Sequence, residues 1–133
     1  MTEPDWERLR TAAMAVAERA YAPYSGLRVG AAAVTESGTI VTGCNVENSS
    51  YPVGTCAEAG LVAALHAQGY ERLVAVATWS PDAADQPLMP CGACRQILFE
   101  AGGAALRVAR GHGDSPLAEL LPDAFGPDDL PSS

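Results

Sequence analysis

Cys56-Ala57-Glu58 and, more than thirty residues later, Pro90-Cys91-Gly92-Ala93-Cys94 are the stretches on which the reading of this chain turns. The C-x-x-C spacing of Cys91 and Cys94 lets two thiolates grip one Zn²⁺ from a single turn. Cys56 supplies a third ligand and leaves a fourth position open for water, which is the pattern of a catalytic rather than a closed structural site. Cys56 and Cys91 both stand where a helix is expected to begin. The partial positive charge of each helix start then faces a thiolate and is expected to lower its pKa. Three thiolates and Zn²⁺ sum to −1, a poorer Lewis acid than a histidine site, so such compensation matters. Arg95, next to Cys94, is a further candidate for it.

Working outward from these stretches, one helix is expected from Cys56 to about Gln68, stopped by Gly69, followed by a buried strand over Leu73–Trp79. After a proline-marked loop, 81–90, the next helix runs from Cys91 to Gly102 and a strand from Ala105 to Ala109. This strand-helix-strand alternation argues an α/β fold with a mostly parallel sheet. Upstream, Leu27–Thr35 and Thr39–Val46 flank Glu36-Ser37-Gly38 and read as an antiparallel hairpin, with a loop over 48–55. The first helix is expected over Pro4–Tyr21, with Trp6, Leu9, Ala13, Val16, Ala17 and Ala20 on one face, Thr2 as cap and Pro23 as stop. Leu117–Leu121 suggests a short helix, and 122–133 an irregular tail.

The 133 residues fit a single domain, 1–133. Apolar residues make up 48 % and charged residues 18 %, which leaves apolar surface for contacts between subunits. Sixteen acidic residues stand against eight basic ones, all arginine, so there is no basic stripe to track a phosphate backbone and no polymeric nucleic acid is expected as partner. Glu3, Asp5, Glu7 and Glu18 in the first twenty residues argue against a signal peptide or membrane span, and a cytoplasmic location is expected. In a reducing compartment the four cysteines point to metal or redox chemistry before disulfides.

Blander readings stand beside the metal. Cys44 could close a four-cysteine structural site, although it lacks a C-x-x-C mate. Cys91 and Cys94 alone could form a redox pair, but that motif needs neither Cys56 nor Glu58. His66 lies ten residues past Cys56, about 15 Å along one helix, too far to share an ion. His112 sits between glycines in a loop. Glu58 taken alone is an ordinary first-turn glutamate.

Further motifs recur along the chain: Ala22-Pro23-Tyr24-Ser25, Val29-Gly30-Ala31-Ala32, Gly43-Cys44-Asn45-Val46-Glu47-Asn48, Pro90 through Gln96, and Glu119-Leu120-Leu121-Pro122. On these, over nearly its whole length, the chain resembles the small homotetrameric cytidine deaminases. Glu58 stands at the offset where nucleobase and nucleoside deaminases carry their acid/base glutamate, here in the three-cysteine form. The resemblance implies a three-layer α/β/α fold with a mixed sheet of four to five strands beginning in a β-hairpin. It also implies zinc on Cys56, Cys91 and Cys94, Glu58 as proton shuttle, and a homotetramer whose subunits share active sites.

Around the substrate it implies Asn45 and Glu47 on the ribose, Leu27 against the base, Ala57 as a further substrate contact, the backbone around Ser49 and the side chain of Tyr51 reaching a neighbouring site, and Phe125 as an apolar face for the pyrimidine. The implied activity is zinc-dependent hydrolysis of cytidine and 2′-deoxycytidine to the uridines, in pyrimidine salvage. Three departures accompany it. Leu27 replaces an aromatic, Ala59 and Gly60 replace Arg-Thr, and the stretch between Ala109 and Leu117 is too short for a full last strand, which is expected reduced or missing. Leu27 and Ala59 keep open another aminopyrimidine nucleoside, such as a blasticidin-type antibiotic, as substrate. A zinc-binding relative without catalysis is the other alternative.

Overall fold

In the computed structural model, which describes residues 3–131, the hairpin around Gly38 forms one side of the sheet. Strands β1 (Gly30–Thr35) and β2 (Ile40–Cys44) pair antiparallel, and Gly38 takes the positive φ, 91°, that the tight turn requires. Strand β3 (Leu73–Trp79) lies on the other side of β1. Strands β4 (Arg107–Ala109) and β5 (Asp114–Pro116) extend the sheet in the order β2-β1-β3-β4-β5. Among the described residues there are five strands and the last is only three residues long, the reduced strand expected between Ala109 and Leu117.

The expectation of a mostly parallel sheet fails. Only β3 and β4 run parallel; β1 pairs antiparallel with both β2 and β3, and β4 with β5. The strand-helix-strand pattern describes the one crossover through the third helix. It says nothing of β1, which has an antiparallel neighbour on each side and needs no crossover to either.

Helix α1 (Trp6–Ala17) packs on one face of the sheet, and α2 (Ala57–Ala67) and α3 (Gly92–Gly102) on the other. The alternation of a strand divides the core between them: Ala31 and Ala33 belong to the cluster under α2 and α3, Ala32 to that under α1. Small side chains at these positions bring the helices close. The fourth helix, α4 (Leu117–Leu120), buries Leu117 beside the sheet's far end.

Helix α1 is shorter than expected at both ends. Asp5 caps it by accepting from the Arg8 N–H at 3.1 Å; Thr2 lies outside the described residues, as do Ser132 and Ser133 of the tail. After Ala17 the chain tightens into 3₁₀-type bonds, and Tyr21 then leaves to bridge Val46, its N–H on the Asn45 carbonyl and its own carbonyl accepting from Glu47. This bridge joins the end of α1 to the strand extension carrying Asn45 and Glu47.

Gly43 decides how closely α2 approaches the sheet. A Cβ there would fall 2.3 Å from the Leu61 nitrogen and 2.5 Å from the Ala57 carbonyl oxygen, both backbone atoms of α2. Gly43→Ala is therefore expected to lower stability by about 1–3 kcal/mol through overpacking. A shift in thermal or urea denaturation midpoint of the zinc-loaded protein measures it, and an unchanged midpoint would show that α2 can move away freely.

Candidate active site and metal centre

Helix α2 begins at its N-cap, Cys56, and α3 at its N-cap, Cys91. Both caps have extended backbone and neither side chain is used to cap its helix. Cys94, one turn into α3, is buried. The three Sγ atoms lie within 4.8 Å of one another. Thiolates at about 2.3 Å from a tetrahedral zinc stand about 3.8 Å apart, so this donor set fits the ion in spacing and in chemistry. Cys44 is not part of the cluster; it sits half-buried on β2.

The protein groups treat the three thiols unequally. The backbone amide of Cys94 at the start of α3 is the main influence drawing Cys91 below its ordinary value. Cys56 is pushed up, chiefly by burial, with the Cys91 and Glu58 charges adding to it. Burial pushes Cys94 far up, and the Glu58 carboxylate adds to that. The helix-start argument thus holds for Cys91 and is overridden by desolvation at Cys56.

Nor does Arg95 turn to the sulfurs. Its Nε donates to the Pro90 carbonyl and its Nη1 to the Leu120 carbonyl, both at 2.8 Å. It braces the approach to Cys91 against α4.

Glu58 lies on the same stripe of α2 as Leu61 and Leu65 and is 4 % exposed, unlike an ordinary first-turn glutamate. A cleft of about 310 Å³ opens onto it, and its walls include all three cysteines, Ala57, Asn45, Glu47 and Tyr51. Eight of the eleven residues expected at the site therefore border one cavity. Leu27, Ser49 and Phe125 do not.

Asn45 and Glu47 are already engaged. The Asn45 Oδ1 accepts from the Val29 N–H at 2.8 Å and its Nδ2 donates to the Leu27 carbonyl at 2.9 Å. Glu47 accepts from the Tyr24 and Ser25 N–H groups at 3.0 and 3.1 Å, and from the Ser25 hydroxyl. The Ser25 hydroxyl bond is the main reason its carboxyl lies below the usual range. Leu27 thus meets the site through its carbonyl on Asn45. Each polar side chain keeps spare capacity: one amide proton on Asn45 and lone pairs on Glu47.

Tyr51, 74 % exposed, borders this chain's own cleft and meets Tyr24 edge to face at 5.7 Å. Ser49 is exposed in the loop before it. Phe125 is exposed on the C-terminal segment, which the Gln96 side chain ties to α3 by donating to the Phe125 carbonyl at 2.7 Å.

Sequence reasoning missed Thr78, Leu88 and Met89. Thr78 lies in β3, and its hydroxyl donates to Glu58 Oε2 at 3.2 Å. A lone hydroxyl in the apolar run Leu73–Trp79 was the available signal, since a buried donor demands a partner. Leu88 and Met89 come from the proline-marked loop and form an apolar wall of the cleft, which nothing in their local pattern announces.

Residues 4–109 match the family model described as the cytidine and deoxycytidylate deaminase zinc-binding region. The chain is 50 % identical over 131 residues to a cytidine deaminase of Mycobacterium tuberculosis, covering 98 % of this chain and 97 % of that one. To a cytidine deaminase of Sporosarcina psychrophila it is 38 % identical over 131 residues, 95 % of each chain. The crystal structure of cytidine deaminase from Mycobacterium tuberculosis superposes with a TM-score of 0.88 at 48 % identity, covering 93 % of this chain and 99 % of that one. That from Mycobacterium leprae gives 0.87 at 43 % identity, over 91 % and 100 %. With the family model spanning most of the chain and such relatives matching nearly end to end, this protein belongs to the cytidine deaminase family.

Proposed function

We propose that the chain hydrolyses the exocyclic C–N bond of cytidine and 2′-deoxycytidine, releasing ammonia and the corresponding uridine. The observation that carries this is a buried carboxylate, Glu58, sharing one cleft with a three-cysteine cluster and with Asn45 and Glu47. Cys56, Cys91 and Cys94 hold the zinc, which supplies the Lewis acidity that lets water act as a nucleophile near neutral pH.

The remaining steps belong to this chain's residues. Glu58 takes one proton from the attacking water and delivers it to ring nitrogen 3, which makes ring carbon 4 electrophilic. After the oxygen has added, Glu58 takes its second proton and delivers it to the amine. The C–N bond breaks with its electron pair leaving on ammonia. One carboxylate is base and acid in turn and ends as it began. The free amide proton of Asn45 and the spare lone pairs of Glu47 serve the sugar, while their other bonds hold the Tyr24–Leu27 turn against it. Leu88 and Met89 shield the base from water.

Ammonia release from cytidine, 2′-deoxycytidine, free cytosine and a blasticidin-type nucleoside tests this reading. Cytosine is expected to be poorer than cytidine by roughly 10²-fold or more in kcat/KM, because it leaves the polar groups built for the sugar unpaired. Preference for the antibiotic, or equal turnover of cytosine, would reject it.

Exposed Tyr24, Tyr51, Val53 and Phe125 support a homotetramer in which neighbouring copies complete each cleft. Light scattering should give four copies, and Phe125→Ala should raise KM by roughly tenfold if its ring reaches a neighbouring pyrimidine, from a stacking contribution of about 1–3 kcal/mol. Unchanged KM would leave Phe125 as packing between copies. A cytoplasmic place in pyrimidine salvage belongs to the same proposal; no helix of the described residues is long and apolar enough to cross a membrane.

A further inference from the structure

A carboxylate that must address a water, a ring nitrogen and a departing amine in succession depends on its orientation, and a glutamate has three torsions to lose. We propose that Thr78 is a positioning residue that anchors one oxygen of Glu58 through its hydroxyl and leaves the other to carry the proton. The inference rests on the deamination proposed above.

Period-two alternation along β3 puts Thr78 on the same face as Val76, toward α2, where Glu58 lies on the buried stripe. Both side chains are nearly inaccessible, 5 % and 4 % exposed. The Thr78 hydroxyl donates to Oε2 at 3.2 Å; among the described residues this is the hydrogen bond Glu58 makes, and Oε1 has none. Among the described residues no fully buried side-chain oxygen or nitrogen lacks a partner, so Oε1 keeps access to the cleft that Glu58 lines. The two oxygens are therefore unlike: Oε2 is held from the sheet side and Oε1 is left open to the cleft.

Oε2 remains an acceptor whether or not Oε1 holds a proton, so the anchor persists through both transfers and Glu58 need not turn between them. The backbone of Thr78 adds a second constraint. Its carbonyl accepts from the Leu88 N–H at 2.7 Å, which ties the same point of β3 to the loop that leads into Pro90 and Cys91. One residue thus sets the carboxylate and the apolar wall of the cleft in a common frame.

The test compares zinc-loaded full chain with Thr78→Val, which removes the hydroxyl at nearly constant shape, and Thr78→Ser, which restores it. For Thr78→Val, kcat on cytidine should fall about tenfold with KM within about twofold and zinc content unchanged, the signature of an interaction that matters in the transition state rather than in binding. Thr78→Ser should recover kcat to within about threefold of the parent. Retained kcat in Thr78→Val, a raised KM at constant kcat, or a serine variant as slow as the valine variant would each overturn the proposal. If Thr78→Val does not fold, Thr78→Ala removes the same hydroxyl and is read the same way. Parent protein that releases no ammonia from cytidine rejects the deamination reading itself, an outcome distinct from an active parent with an indifferent Thr78→Val.

Discussion

Glu58→Gln is expected to keep its zinc and lose roughly 10²–10⁴-fold in kcat, the usual contribution of a positioned acid/base group. The amide matches the carboxylate in size, and its nitrogen can donate to the Thr78 hydroxyl where Oε2 now accepts, so the buried contact survives in reversed polarity. It cannot accept and return a proton. Zinc binding should not weaken, because the Glu58 charge acts against the thiolate of Cys94 and its removal relieves that repulsion. Metal analysis, steady-state kinetics and a melting curve check the three parts together. A Glu58→Gln protein with kcat within about tenfold of the parent would remove Glu58 from the chemistry.

Cys94→Ala should behave oppositely, losing metal, turnover and stability at once. Cys94 is 1 % exposed and stands where α3 meets the cleft, so of the three proposed ligands its sulfur is the one most shielded from water. Loss of an outer partner alone costs about 10–100-fold in metal affinity, and loss of a ligand should exceed that. Because a site of this kind is not preformed in the unfolded chain, metal-binding free energy is folding free energy. The melting temperature should fall toward that of chelator-treated parent protein, with ammonia release at the detection limit. Full zinc occupancy in Cys94→Ala would mean that the ion is held by other groups.

Much of this could be read along the chain, wherever local chemistry decides. Gly69, with φ of 104°, ends α2 because few other residues accept that backbone, and β3 spans Leu73–Trp79 as its apolar run predicts. The C-x-x-C spacing needs only one helical turn to bring Cys91 and Cys94 together, and Glu58 follows Cys56 closely enough to share its helix start.

What failed or was missed depends on partners distant in sequence. The sheet reads as mostly parallel until β1 is seen between β2 and β3. Asn45 and Glu47 read as sugar contacts, yet their bonds to Val29, Leu27, Tyr24 and Ser25 exist only once the end of α1 has delivered that turn to them. Arg95 reads as a counter-charge for thiolates but finds the Leu120 carbonyl, 25 residues away.

The sequence by itself placed Cys94 one turn past Cys91, Glu58 two residues past Cys56, and a helix start at each pair, because spacing within one turn carries that information. Only the tertiary structure decided that Cys56 meets the other two thiols across a gap of more than thirty residues, that Gly43 lets α2 settle on β2, and that Thr78 faces Glu58. Such contacts arise from packing between elements. A buried hydroxyl must find some partner, but which partner is set by where the sheet and helix come to rest.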